Sequence, residues 1–527
     1  MFVSKRLKCF LLILLILLLL VISAYAISKT NYKRAKQLLK SEVDINQLKE
    51  TREKIGYIEL DFLIDGNFTY YSGYQNTYFY YLSESNADTY KNLKLKISSK
   101  EKLKYIVLDE MYDKEKGFYI DFLKPINIMF YNDDVYYLTQ IKFTCLPIMN
   151  IETNEQIDVM WEEKPAIMQL YSQSNEDDTT ISYIESDIMM RIRGAISSQY
   201  PKKQYKITLM HGDKQKDVSL LGMEANDEWT LDAMYSDFTK VKSKLSFDIW
   251  NEMNSYTINT FDNDVNSEYV IVFINNRFHG LYLLKEHFDW EKTGIDKKTS
   301  EGSGVLIKGV RYWNFDWNTY DKDKETYWVH AFQMKYPKKQ ENYSDYWDAI
   351  IPKIYTHFYD KENITEEYLY KNFDIANYND YKIFIHFICG ADNYAEKNVY
   401  LYMQNMSEES KVIFMPWDLD VTYGVDWDGI PPTYFYQIPE YVEKVWDLWV
   451  KSEDINNQLR DRYFELRKNI LDKENIYKKI DSYYNKIKYT TEQDGKQWLE
   501  YDLDLEIKNI KEWIEKRLEF LDEYIRS

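Results

Sequence analysis

Two segments of the sequence place carboxylates and an amide where phosphoryl transfer would need them. Asp418 and Asp420 come directly after the apolar stretch 412–416, where a carboxylate is costly unless a cation lies nearby. Asp392 and Asn398 lie in a loop between an apolar helix and another strand. One carboxylate could accept the proton of a substrate hydroxyl, while an amide oxygen and a second carboxylate hold Mg²⁺ on phosphates. On spacing alone, Asx turns that cap strands explain these residues equally well.

A basic segment between residues 190 and 209 could bind an anion. One predicted strand ends at Arg193, a Ser197-Ser198 pair follows, and the next strand carries Lys203 and Lys206. Cationic side chains and backbone N–H groups in such a turn can surround an anion. Lysine and arginine mostly face water, so this segment alone is a weak indication of a binding site.

Composition limits the classes of protein and of site. The 527 residues include 67 Lys and Arg against 86 Asp and Glu, which gives a net charge of −19. This acidic balance argues against nucleic-acid binding and favours a basic partner. The 50 Tyr, 25 Phe and 14 Trp residues exclude a disordered acidic chain. Three Cys and six His occur in no closely spaced set, which argues against structural zinc and favours a hard cation on carboxylates. Cys145 and Cys389 are most simply two buried thiols.

The elements that must position these residues follow an α+β pattern. Short alternating and aromatic runs over residues 55–142 predict a β-rich, sandwich-like module. Strands and helices are mixed over residues 143–429, and residues 268–284 predict a hairpin with its turn at Asn275-Asn276. In the C-terminal part, residues 430–527, apolar residues recur at spacings of three and four, which predicts helices. These helices would cover residues 442–450, 455–471, 476–487 and 505–525.

The N-terminal 27 residues indicate a targeting segment. Lys5, Arg6 and Lys8 precede an apolar run over residues 9–22, and the small residues at 23–26 match a signal-peptidase site. The run is also about long enough to span a bilayer, so a cleaved signal peptide and a retained membrane anchor both stay open. Either one places the body of the chain outside the cytoplasm, membrane-anchored or secreted. Residues 28–54 predict a helical stalk.

Five motifs in series resemble those of the spore-coat protein H (CotH) kinase family. The most specific is Pro416-Trp-Asp-Leu-Asp followed by Gly424, and the resemblance spans about residues 146–424. The C-terminal helices, with Arg462, Arg467 and Arg517, look similar too. The other motifs are Arg193-Gly-x-x-Ser-Ser, Trp229-x-Leu with Asp237, Val272-Phe-Ile-Asn-Asn-x-Phe-x-Gly-Leu-Tyr, and Asp392 with Asn398-x-Tyr-Leu-Tyr.

The resemblance implies an atypical protein-kinase-like core and a reaction. Members of the family are extracytoplasmic or spore-associated kinases that use ATP and a divalent metal, Mg²⁺ or Mn²⁺, to phosphorylate Ser-containing proteins. By motif position, Asp392 would be the catalytic base, and Asn398 and Asp418 would be the metal ligands. Asp420 would be a second candidate ligand.

The resemblance also implies a nucleotide site. Its lysine and glutamate are assigned by their order in the chain and not by a motif match. Lys203 or Lys206 would reach the α/β-phosphates of ATP, and Glu286 would orient that lysine. Arg193 would contribute to the same cofactor-binding site. The implied acceptor is a basic, Ser-rich protein, and a spore envelope is one location consistent with the family.

The sequence departs from the family pattern at several positions. Arg193-Gly-Ala-Ile-Ser-Ser is one residue longer than the family's version and lacks its Asn, and Lys242 stands where an Arg is expected. Asp392 and Asn398 are separated by one position more than the corresponding pair of ordinary protein kinases. A pseudokinase with the same fold therefore stays open, as do a structural envelope or spore-coat protein and a glycan-binding surface protein.

Overall fold

The computed structural model describes most of the chain from residue 125 onward and short stretches before it. The described residues are 45–54, 62–64, 67–68, 70–72, 77–81, 95–97, 103–108, 125–157, 160–173, 181–194, 196–255, 264–295, 304–310, 332–338, 343–390, 392–393, 397–425 and 446–527. The chain divides into two compact units, residues 1–80 with 87–143 and residues 81–86 with 144–527.

The predicted targeting segment, residues 1–27, lies outside the described residues, as do residues 28–44 of the predicted stalk. The rest of the stalk includes a helical stretch at residues 45–51. Within the described part of the chain, no helix combines the length and the apolar character needed to cross a membrane.

The described residues of the first unit are mainly β-strands. The strands are β1 Glu53–Lys54, β2 Phe62–Ile64, β3 Asn67–Phe68, β4 Tyr70–Ser72, β5 Thr77–Tyr81, β6 Leu95–Ile97, β7 Lys104–Val107, β8 Ile126–Tyr131 and β9 Val135–Thr144. One sheet has the order β4-β5-β9-β8-β7, with β1 parallel to β9, and a second sheet has the order β3-β2-β6. Strands therefore occur where the short aromatic runs predict them, and the packing of the sheets as a sandwich stays a prediction.

The second unit contains a closed barrel. Its strands are β10 Ile148–Glu152, β11 Lys164–Gln173, β12 Ile181–Arg193, β13 Gln204–His211, β14 Lys214–Gln215, β15 Glu228–Asp232, β16 Ser267–Ile274 and β17 Arg277–Glu286. They follow the order β12-β11-β10-β16-β17-β15-β13-β14, and β12 also pairs with β13, so the sheet closes on itself with β14 attached outside the ring. The predicted hairpin is β16–β17 and is confirmed. Asn275 and Asn276 both have positive φ, 50° and 60°, as a tight type I′ turn requires.

Alternate residues of the barrel strands face opposite sides of the sheet. The inner side is an apolar cluster that includes the fully buried Met168, Ile207 and Val272. Each such side chain stabilises the fold by roughly 1.5–3 kcal/mol relative to an exposed one. The outer side carries charged residues near the ends of four neighbouring strands. These residues are Arg193, Lys206, Asp232 and Lys285.

A second sheet lies in the same unit. Its strands are β18 Val305–Gly309, β19 Phe332–Tyr336, β20 Val399–Met403 and β21 Ile413–Pro416, antiparallel in the order β19-β18-β20-β21. Among the described residues of this unit, four α-helices precede β20: α1 Lys242–Ser255, α2 Ser344–Tyr359, α3 Glu366–Asn372 and α4 Ile375–Ile388. Helix α4 is buried over nearly its whole length, as a core helix is. Cys389, just after it, is buried as predicted, whereas Cys145 is only half-buried.

Three long helices end the chain. They are α5 Glu453–Leu466, α6 Lys473–Gln497 and α7 Leu503–Arg526. Three of the predicted helices are confirmed, but residues 447–450 are not helical, and α6 continues beyond the predicted end at residue 487. The extension has a tertiary cause: the buried Asp494 carboxylate accepts the backbone N–H of Leu281 in β17 at 2.9 Å and pairs with Lys202 at 2.7 Å.

Candidate active site

Asn398 and Asp418 lie side by side at one end of the four-stranded sheet. Asn398 directly precedes β20, Asp418 follows β21 after Trp417, and Val399 pairs with Pro416 in antiparallel register. The Trp417 amide donates to the Asn398 carbonyl at 2.9 Å. Asn398 and Asp418 both have a left-handed backbone, with φ of 55° and 58°, which Asn and Asp adopt more readily than most residues. The pairing of β20 with β21 therefore brings together two residues that are distant in the chain.

Asn393 holds these two strand ends together. Its buried side-chain amide donates to the carbonyl oxygens of Asn398 and Trp417, at 3.0 and 2.7 Å. Its own carbonyl accepts from the indole N–H of Trp446 at 3.1 Å. Two hydrogen bonds of this kind stabilise the arrangement by about 2 kcal/mol. Sequence reasoning missed Asn393, because its role depends on the two backbone carbonyls that the fold brings to it.

Asp392 lies next to Asn398 and Lys397. Its Oδ2 atom is 2.7 Å from the Lys397 ammonium and accepts from the Asn398 amide at 3.4 Å. Burial raises the pKa of Asp392, Lys397 opposes that shift, and the charge of Asp418 adds to it. The structure therefore brings Asp392, Asn398 and Asp418 into one site.

Asp420 belongs to the same group of carboxylates. Burial raises its pKa well above the usual range, the charges of Asp418, Asp232 and Asp392 add to the shift, and Lys285 opposes it. Carboxylates that repel one another in a buried place are stabilised by a cation between them. The electrostatics of the site therefore favour positive charge where the sequence predicts a metal.

The donor set of this group suits a hard divalent cation. Asp392, Asp418 and Asp420 offer carboxylate oxygens and Asn398 an amide oxygen, which are the ligand types that Mg²⁺ and Mn²⁺ take. In the part of the chain that the structure describes, no three His, Cys, Asp or Glu side chains are arranged to hold a metal by themselves. Mg²⁺ at a nucleotide usually has one or two carboxylate ligands and completes its shell with phosphates and water. The residues therefore fit a metal that binds together with a nucleotide.

The three predicted nucleotide-binding cations are engaged with protein groups. Lys206 forms an ion pair with Glu228, and Lys203 donates to a backbone carbonyl at 2.9 Å. Arg193 donates to the side-chain oxygen of Gln204 at 3.3 Å. Lys206 would have to give up a carboxylate partner to bind a phosphate, whereas Arg193 has the neutral amide of Gln204 as its side-chain partner among the described residues.

The prediction that Glu286 orients one of these lysines is wrong. Glu286 pairs with Trp229 and lies on the inner side of the barrel, whereas Lys206 lies on the outer side. The buried Glu286 carboxylate forms an ion pair with Lys292 at 2.9 Å and accepts two backbone N–H groups at 2.9 and 2.8 Å. Because nearly every residue of β17 is buried on both sides, alternation in the sequence does not reveal which side Glu286 takes.

Two lysines that sequence reasoning missed lie near the carboxylates. Lys285, on the outer side of the barrel, forms a buried ion pair with Asp232 at 2.6 Å. Burial alone would raise the pKa of Asp232, but Lys285, the Met234 N–H and Arg193 together hold that pKa below its usual value. Lys308 lies on β18, with its ammonium 5.7 Å from the centre of the Trp417 ring. Both lysines occur in apolar strands, where a sequence pattern assigns a charged residue to a solvated side.

The comparison with known families agrees with this site. The chain matches the family model described as CotH kinase protein over residues 190–521, which is more than half of its length. The match begins within β12 and ends within α7, so it contains all of the site residues and the C-terminal helices. No curated protein matches the sequence at a significant level. On the strength of the family match, the chain belongs to the CotH kinase protein family.

Proposed function

We propose that the protein is an atypical protein kinase that transfers the γ-phosphoryl group of ATP to a Ser or Thr hydroxyl of a partner protein. One observation carries this proposal: in a chain of the CotH kinase family, Asp392, Asn398 and Asp418 meet at one end of a sheet. A carboxylate base together with an amide and a carboxylate ligand is the set that phosphoryl transfer requires.

Asp392 is the proposed base. It would accept the proton of the acceptor hydroxyl as the oxygen attacks the γ-phosphorus. Burial and the charge of Asp418 raise the pKa of Asp392, which improves a carboxylate as a base near neutral pH. Lys397, at 2.7 Å from Oδ2, orients the carboxylate and keeps the pKa from rising further.

Asn398 and Asp418 are the proposed ligands of Mg²⁺ or Mn²⁺, with Asp420 as a further ligand. When bound, the metal would neutralise the phosphate oxygens and stabilise charge on the leaving ADP. Asn393 keeps the two ligand-bearing strand ends at a constant separation through its hydrogen bonds to both. Arg193 is a proposed phosphate contact, since a guanidinium held by a neutral amide keeps its charge available.

A basic, Ser-rich protein is the proposed acceptor. The net charge of −19 supports this choice because an acidic surface attracts a basic partner and repels an acidic one. The targeting pattern of residues 1–27 supports a protein body outside the cytoplasm, membrane-anchored or secreted. A spore envelope is one proposed location, in keeping with the resemblance to the spore-coat protein family.

A pseudokinase is the second candidate, and the Asp392–Lys397 ion pair favours it. A base whose carboxylate is held by an ammonium at 2.7 Å must loosen that contact to accept a proton. The two candidates predict different results of one measurement: nucleotide binding with transfer for the kinase, and nucleotide binding without transfer for the pseudokinase.

The test uses the purified full-length protein with γ-labelled ATP, Mg²⁺ or Mn²⁺, and basic Ser-containing peptides. The wild type should bind ATP only with metal and should label the peptide. Asp418→Ala should lose metal-dependent binding, whereas Asp392→Asn should bind ATP and transfer no label. The matched control is Asp472→Asn, because Asp472 only caps α6, and it should behave as the wild type. Absence of both nucleotide binding and transfer in the wild type refutes the kinase proposal, and binding without transfer establishes the pseudokinase.

A further inference from the structure

Lys308 lies on the strand that borders the proposed site. In the antiparallel register of β18 and β20, Lys308 is the partner of Tyr400, and the backbone N–H of Asn398 donates to the carbonyl of Gly309 at 3.1 Å. Paired residues of adjacent strands project from the same side of a sheet. The Lys308 side chain therefore projects from the same side of the sheet as Tyr400. The next residue of its strand, Gly309, is hydrogen-bonded to Asn398, a proposed metal ligand.

Two aromatic rings and one carboxylate surround the Lys308 ammonium. Its Nζ atom is 5.4 Å from the centre of the Tyr400 ring and 5.7 Å from that of Trp417. The two rings pack edge to face at 5.5 Å and form a wall directly before Asp418. Ring faces stabilise a cation by about 0.5–2 kcal/mol, which offsets only part of the cost of removing an ammonium from water.

Lys308 lies among charges of both signs. Asp418 attracts the ammonium, while three cations repel it, namely Arg193, Lys335 and Lys397. Among the described residues, no carboxylate lies within the 4.0 Å of an ion pair with Lys308. Its neighbours differ in this respect, because Lys206, Lys285 and Lys397 are each paired with a carboxylate. A desolvated cation among other cations favours an anionic ligand.

We propose that Lys308, and not Lys203 or Lys206, is the lysine that binds the phosphates of the nucleotide. The inference rests on the proposed kinase function. Phosphate oxygens between Lys308 and Arg193 on one side and a metal on Asp418 on the other would compensate the charges of both lysine and arginine. Lys308 is then a binding residue for the α/β-phosphates, with the Trp417 and Tyr400 rings fixing its position.

The test compares the affinity of ATP for five full-length proteins in the presence of Mg²⁺: the wild type, Lys308→Met, Lys308→Arg, Lys206→Met and Lys382→Met. Lys308→Met should weaken ATP binding by about 10- to 100-fold, the loss typical of a hydrogen bond to a charged group, and should leave adenosine binding nearly unchanged. Lys308→Arg should retain most of the ATP affinity because it keeps the cation. The matched control is Lys382→Met, since Lys382 is also buried against a ring, Tyr378 at 5.0 Å, and donates to the Leu448 carbonyl at 2.7 Å. It should lower the melting temperature without changing ATP affinity.

The outcomes of this test separate the assignment of Lys308 from the proposed kinase function. Wild-type affinity for ATP in a folded Lys308→Met protein, or a larger loss in Lys206→Met than in Lys308→Met, overturns the assignment of Lys308 alone. A wild type that binds no ATP refutes the kinase function and this inference with it. If Lys308→Met fails to fold, amine labelling of the wild type decides: saturating ATP with Mg²⁺ should protect Lys308 from acetylation, as measured by mass spectrometry. Unchanged labelling of Lys308 would overturn the assignment.

Discussion

Replacing Asn393 with alanine should impair catalysis, although Asn393 itself is neither the proposed base nor a proposed metal ligand. Asn393 donates one hydrogen bond to the carbonyl of Asn398, at 3.0 Å, and one to that of Trp417, at 2.7 Å. Asn398 is itself a proposed metal ligand, and Trp417 directly precedes the other one, Asp418. Without the amide, the strand ends keep the hydrogen bond from the Trp417 N–H to the Asn398 carbonyl but lose the side chain that binds both of them.

The size of the effect follows from the hydrogen bonds of Asn393. Each bond contributes about 1 kcal/mol. The Asn398 carbonyl keeps the Trp417 N–H as a donor, but a Trp417 carbonyl left buried without a partner costs a further 1 kcal/mol or more, roughly. The free energy of unfolding should therefore fall by about 3 kcal/mol. In a unit of 390 residues this corresponds to a loss in Tm of about 4 °C.

The assay combines melting curves with phosphoryl transfer, and Asn377 supplies a matched control. Asn377 is also buried and also makes two hydrogen bonds to one strand, to the Phe414 carbonyl at 3.1 Å and from the Phe414 N–H at 2.8 Å. Asn377→Ala should cost similar stability, but Phe414 lies inside β21, away from the strand end. Asn393→Ala should lower kcat by about 100-fold, as a misplacement of roughly 1 Å does, and Asn377→Ala should lower it far less.

A second variant, Asn393→Asp, tests whether the two donated hydrogen bonds are what matters at this position. A carboxylate at this position cannot donate and would face two carbonyl oxygens, so at neutral pH it should be more damaging than alanine. The reasoning is refuted if Asn393→Ala leaves Tm and kcat unchanged. Equal losses of both stability and kcat in the Asn393 and Asn377 variants would also contradict it, because the effect would then be general destabilisation.

Two further predictions concern residues outside the reacting group. Glu286→Gln should lower Tm by a few degrees, because it removes the buried one of the two carboxylates that pair with Lys292 and leaves only the exposed Glu224. ATP affinity should stay at the wild-type value; a marked loss of affinity would restore Glu286 to the nucleotide site. Burial raises the pKa of Asp289 to about 6, so the folded state keeps a proton that the unfolded chain releases near pH 4. The free energy of unfolding should therefore fall as the pH rises from about 4 to about 6, and denaturant titrations should show a shallower fall in Asp289→Asn, which retains the cap of the following turn.

Local patterns predicted the parts of the fold that depend on neighbouring residues. The β16–β17 hairpin was predictable because Asn275-Asn276 satisfies the positive φ of its turn. The C-terminal helices were predictable from their apolar spacing, although α6 continues to Gln497 because Asp494 is bound to the barrel. Closure of the barrel through β12 and β13 was not predicted, since strand pairing across the sheet has no local signal.

The candidate site likewise contains residues that the sequence could identify and residues whose roles depend on the tertiary structure. Asp392, Asn398 and Asp418 could be selected because each polar residue directly borders an apolar element. Lys308 could not be selected, because its importance depends on the ring walls of Tyr400 and Trp417, which come from other strands. Glu286 was assigned to the nucleotide site by chain order, and the usual period of two could not correct this because nearly every residue of β17 is buried on both sides.

The sequence by itself therefore determined which chemical groups are present, which family the chain resembles, and where most helices and one hairpin lie. Only the tertiary structure decided which groups act together. It placed Lys206 in an ion pair with Glu228, turned Glu286 into the barrel, and left Lys308 beside Asp418 without a paired carboxylate among the described residues. The physical reason is that side-chain types and local propensities are properties of short segments, whereas burial, facing direction and charge pairing are set by strand register between distant segments.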